Sequence, residues 1–120
     1  MSLEETKIRK KSEISYRINI LRSSPIDFLD NKYQIDLILI INIISHITLG
    51  LPHLAPLIDI NNDAIYLNDN DVNLLLKSVI KRIDILTIKQ AELFKQVDAM
   101  TNEDDINNIN VEEMITMEIE

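Results

Sequence analysis

Residues 69–100 read DNDVNLLLKSVIKRIDILTIKQAELFKQVDAM, a stretch with neither glycine nor proline. Val72, Leu76, Val79, Ile83, Leu86, Gln90, Leu93, Val97 and Met100 recur at alternating steps of four and three, the spacing of a heptad seam. Only Gln90 interrupts the apolar run. Asn68, just before it, has the side chain of a helix N-cap, and Asp69 and Asp71 complement the positive end of the helix dipole. The sequence therefore predicts one long helix and a mainly α protein. Spacing alone leaves two partners open for the seam: another helix of the same chain, or a second copy.

Toward the N-terminus, Ile58 to Leu67 reads as a β-hairpin, with Asn61-Asn62-Asp63 as its turn. A proline-punctuated connection, Leu51 to Leu57, precedes it. Before that comes a second helix, with Asp36 as N-cap and Gly50 and Pro52 as its stop. From Leu37 to Leu49 that helix is apolar almost all round, leaving Asn42, Ser45 and His46 as a narrow polar stripe. Such a helix is expected to be buried, and a chain this short has little to cover it with. Self-association or a partner surface follows. Pro25 to Ile35 reads as another hairpin, turning at Asp30-Asn31-Lys32. Residues 4–22 read as a first helix, with Ile14, Ile18 and Leu21 on one face and Ser23-Ser24-Pro25 ending it.

Toward the C-terminus, Thr101 is placed to cap a short helix whose first turn holds Glu103, Asp104 and Asp105. Residues 111–120 read as an acidic tail or an arm that docks on a partner, and residues 1–110 as a single helical domain with two short hairpins. The order is helix, hairpin, buried helix, hairpin, long heptad helix, short terminal helix.

Composition narrows the function classes. The single glycine, Gly50, excludes Gly-rich phosphate loops and dinucleotide fingerprints, which need close backbone approach. No cysteine is present, so disulfides and thiolate chemistry are excluded. With 46% apolar residues but only 4% aromatic, the core is aliphatic. The net charge of −8 is uneven. Residues 1–22 carry +3 and residues 97–120 carry −8, an asymmetry that favours head-to-tail contacts between copies or simply marks two solvated ends. Neither the total nor the pI near 4.7 suits general nucleic-acid binding. The apolar run from Leu37 to Leu51 falls short of the roughly 20 residues of a membrane span. It follows a charged stretch, so no signal peptide is read.

Three segments carry a resemblance: Phe28-Leu29-Asp30-Asn31-Lys32-Tyr33-Gln34-Ile35-Asp36, then Asn62-Asp63-Ala64-Ile65-Tyr66-Leu67-Asn68-Asp69-Asn70-Asp71-Val72, then Val97-Asp98-Ala99-Met100-Thr101-Asn102-Glu103-Asp104-Asp105-Ile106. Their succession, over roughly residues 10–109, is similar to an uncharacterised phage domain of small tail-module and tail-fibre-associated proteins. Two departures stand out. Ile58 or Ile60 occupies the place of a family tryptophan, and the second helix is more apolar than the family's. The resemblance implies a non-enzymatic tail, baseplate or fibre component in a virion, assembled in the host cytoplasm. Its partners would be other phage structural proteins, in a homo-oligomer or symmetric assembly. A tail-fibre assembly chaperone and a small intracellular protein-binding regulator are the alternatives. No catalytic residue comes with the resemblance.

Chemistry is sparse. His46 and His53 are seven apart with Gly50 and Pro52 between, which is no metal-ligand spacing on one helix. Asp59-x-Asn61-x-Asp63 begins like a calcium loop, but Ala64 stands where glycine is needed and Asn70 where a bidentate Glu is needed, so a hairpin turn is expected. Lys7-Ile8-Arg9-Lys10-Lys11 reads as a solvated helix start, since no aromatics interleave it. No cofactor or metal is expected. The candidate interaction residues are Ile40, Ile44 and Ile47 on the second helix, with Val79, Ile83, Leu86, Gln90, Leu93 and Val97 on the long one.

Overall fold

Ser2 opens the first helix: its Oγ accepts the Glu5 amide at 3.1 Å, and α1 runs Leu3–Arg22. The computed structural model describes residues 2–116 and is 63% helical. After α1 come β1 (Ile26–Phe28), β2 (Asn31–Tyr33), α2 (Leu37–Leu49), β3 (Leu57–Ile58), β4 (Ala64–Ile65), α3 (Asp69–Ala99), α4 (Glu103–Asn107) and α5 (Val111–Met114). The mainly α reading with two small antiparallel hairpins holds. The chain forms two compact units, one from the residues up to Arg22 together with those from Arg82 onward, the other from Ser23–Lys81.

The first unit is built on an antiparallel pairing of α1 with the second half of α3. Lys7 at the start of α1 donates from Nζ to the Asp98 carbonyl at 2.9 Å, and Arg82 donates from Nη1 to the Leu21 carbonyl at 3.2 Å. Ile14, Ile18 and Leu21 from α1 meet Leu86, Leu93 and Val97 from α3, and Ile106, Val111 and Ile115 close the cluster. Each such aliphatic side chain contributes about 1.5–3 kcal/mol by leaving water. This half of the heptad seam therefore packs within the chain.

Basic side chains of α1 hold the C-terminal segment against it. Lys10 Nζ donates to the Ile109 carbonyl at 3.2 Å and pairs with Glu13 at 3.1 Å; Arg17 Nε donates to the Ile115 carbonyl at 3.2 Å. Arg9 reaches the Asn107 side chain, and Lys11 pairs with Asp98 while lying 5.7 Å from the Phe94 ring centre. Cations beside the carbonyls in and just after the last turns of α3, α4 and α5 are favourable because those acceptors lack helical partners. Of the basic start, read from sequence as a solvated face, Arg9 is exposed as expected, but its cations also bind the C-terminal part of the chain: Lys7 and Lys10 at backbone carbonyls, Arg9 and Lys11 at side chains. Val111 and Ile115 fall in the stretch expected to be an acidic tail or docking arm, yet both are buried in this core. Asn102, one residue past the expected Thr101, caps α4 by accepting the Asp104 amide at 2.7 Å.

In the second unit β1 and β2 pair with Ile26 opposite Tyr33 and Phe28 opposite Asn31. The turn is Leu29-Asp30, earlier than the Asp30-Asn31-Lys32 expected. Both residues take positive φ, 49° and 63°, as a two-residue hairpin with the right twist requires. In the second hairpin Leu57 pairs with Ile65 and Ile58 with Ala64. Here the buried Asp59 carboxylate accepts the Asn61 and Asp63 amides at 2.8 and 2.9 Å, which makes the Asp-x-Asn-x-Asp run a turn. The hairpins are stitched together by the Gln34 amide on the Ile58 carbonyl, 2.8 Å, and the Ile60 amide on the Lys32 carbonyl, 3.0 Å.

α2 begins and ends as the sequence predicts. Asp36 Oδ1 accepts the Leu39 amide at 2.7 Å. Gly50 sits at φ 68°, which lets the Leu51 amide return to the His46 carbonyl at 2.9 Å. α3 begins where Asn68 Oδ1 accepts the Asp71 amide at 2.8 Å. The expectation that α2 is a buried helix is corrected: Ile43 is its one buried residue. The physical reason is supply. Strands of two and three residues make no layer broad enough to cover a helix that is apolar on nearly every side.

Candidate functional site

The candidate interaction residues divide sharply. Val79, Leu86, Leu93 and Val97 are buried, Ile83 and Gln90 half-buried, so this long-helix set belongs to the interior of the folded chain and to its rim. Of the two partners the spacing left open, the buried part of the seam meets residues of its own chain. On α2, Ile40 is half-buried, whereas Ile44 and Ile47 are exposed.

Around Ile44 the exposure is broad. Leu37, Ile38 and Leu49 are 69%, 81% and 70% exposed, and Ile41 is 54%. At 100° per residue, Leu37, Ile41, Ile44 and Thr48 fall within a narrow arc, forming an outward ridge. Beside it runs a groove of about 290 Å³ lined by Ile38, Ile41, Asn42, Ser45, His46, Leu49 and Leu51. From Leu37 to Ile58 the chain has no Asp, Glu, Lys or Arg, in a protein that is 27% charged overall. That gap is a sequence signal for this surface. Periodicity misses it, because it asks which faces are apolar and not whether anything covers them.

A second, polar cleft of about 310 Å³ lies where the Gly50 turn brings the chain back along α2, lined by His46, His53, Asp69 and Asn73 among apolar residues. The His46 and His53 rings meet edge to face, 5.3 Å between centres. His53 Nε2 is 2.8 Å from Asn42 Oδ1, and its backbone amide donates to Asp69 Oδ1 at 3.1 Å. Burial holds the His53 imidazole below its ordinary value of 6.5; His46 acts in the same direction and Asp69 opposes both. Sequence spacing gave no sign of this cluster, since the two histidines meet only because a left-handed residue reverses the chain between them. The imidazole is committed to an amide oxygen, an arrangement that fastens the 51–53 segment to α2.

Among the described residues no three His, Asp, Glu or Cys side chains gather in a way that would hold a metal ion. No helix of the described residues is long and apolar enough to cross a membrane. The sequence matches no family model, no curated protein and no solved structure.

Proposed function

We propose that the chain is a non-enzymatic structural protein of a phage tail, baseplate or fibre module. It would act through protein–protein contacts in an assembly and reside in the virion. The observation that carries the reading is α2: a capped, well-formed helix that presents an uncharged apolar face to solvent. An uncovered surface of this kind marks a place where protein is meant to dock. The resemblance of residues 28–36, 62–72 and 97–106 to the tail-module domain supplies the setting. Mass spectrometry of purified particles is the test. The expected result is the chain in fixed stoichiometry with tail proteins. Its absence from particles, together with capture on fibre proteins in lysate, would overturn the virion reading in favour of an assembly chaperone.

A further inference from the structure

Resting on the reading of α2 as a docking surface, we infer that its occupant is a second copy of this chain, which pairs through the same face about a two-fold axis. Three observations select that occupant. The first is size. Leu37, Ile38, Ile41, Ile44, Leu49 and Leu51 are each 43% to 81% exposed. With neighbours they present on the order of 500 Å² of apolar surface, at the upper end of what a monomer ordinarily shows and approaching the roughly 800 Å² per partner of a stable complex.

The second is composition. Interfaces with transient partners are about as polar as the rest of a protein surface, whereas those between identical subunits are more apolar and poor in charge. A face drawn from a segment with no charged residue between Leu37 and Ile58 is of the second kind. Each copy carries a net −8, and this face lets two copies meet with no charged side chain of residues 37–58 at the contact itself.

The third is shape. The ridge of Leu37, Ile41 and Ile44 and the groove lined by Ile38, Ser45, Leu49 and Leu51 lie side by side on one face, and Ile41 belongs to both. A surface that offers a projection and a recess together is suited to the isologous contact of a two-fold dimer, in which the same residues serve both sides. Ile41 lies at the centre of this face, close to its own counterpart across the axis.

The test is charge placement at Ile41, which is exposed enough that a longer polar side chain leaves the core alone. The parent chain, Ile41→Lys and Ile41→Glu are each examined by sedimentation equilibrium in the micromolar range, with circular dichroism confirming unchanged helix content. The parent is expected at twice 13.9 kDa. Each variant alone is expected to dissociate at least about tenfold more readily, as like charges meet at the axis. An equimolar mixture of the two is expected to regain dimer, because Lys then faces Glu. Three results each overturn the inference: a parent that stays monomeric, a dimer indifferent to both substitutions, or a mixture no more associated than its components. A monomeric parent would leave the face to a different protein, so the failure is separable from that of the proposed function, which is read on particles.

Discussion

Ile115→Ala tests whether the segment after residue 110 is core or tail. Ile115 is fully buried in the cluster with Ile14, Ile18 and Val97, and its neighbour Val111 is nearly so. The substitution removes three carbons, worth about 2.4 kcal/mol at roughly 0.8 per methylene. Incomplete collapse around the vacated space adds to this, within the 2–5 kcal/mol span of Ile→Ala changes in cores. The short α5 lies close to the end of the described chain and can relax, so a loss of about 3 kcal/mol is expected. In a chain of this size that lowers Tm by roughly 10–15 °C. Urea unfolding followed by circular dichroism measures the loss, with Glu112→Ala, an exposed neighbour, as the control within about ±0.5 kcal/mol. If Ile115→Ala also falls within that band, Ile115 does not contribute to the core and the C-terminal segment does not pack against α1.

Three further substitutions address other elements. Because the His53 imidazole is held below 6.5 in the folded chain, the unfolded chain takes up the proton first; stability is full above that value and declines as pH falls below it. His53→Gln is expected to flatten that decline in melts between neutral and mildly acid pH, and an unchanged slope would count against it. Leu29 is exposed and sits at φ 49°, so Leu29→Asn is expected to raise stability by about 0.5–1 kcal/mol, visible as a higher urea midpoint. Gln90 lies half-buried at the rim of the seam, so Gln90→Leu is expected to leave oligomer mass unchanged in native mass spectrometry and stability within about ±0.5 kcal/mol. A change in mass would mean that the seam reaches another chain.

The elements that rest on local chemistry were readable from the sequence. Asp36, Gly50 and Asn68 mark their helix ends through side-chain or backbone geometry that needs only a few neighbours, and α3 follows from an uninterrupted period. The Asp59 turn was readable for the same reason. What escaped depends on supply and return. The apolar count of α2 implied burial, but burial needs another layer, and the short hairpins provide none. Val111 and Ile115 have the i, i+4 spacing of a buried helix edge, yet Glu112, Glu113 and Glu118 around them directed the reading toward a tail. Because Lys10 and Arg17 bind backbone carbonyls there, carboxylates are not what attaches the segment, and charge was the wrong guide. The histidine cluster depends on a chain reversal that no spacing rule encodes.

The first unit is discontinuous in sequence, and this bears on synthesis. α1 leaves the ribosome with its apolar stripe of Ile14, Ile18 and Leu21 ready, but the partners of that stripe begin at Leu86 and end at Ile115. The whole of Ser23–Lys81 is made in between and can settle as a contiguous unit first. Closing so long a loop costs entropy before any contact repays it, so the last unit to be completed is the one whose first helix was made earliest. Through that interval the nascent chain displays two apolar stripes at once, that of α1 until residues 86–115 cover it, and that of α2, which the folded chain leaves exposed as well.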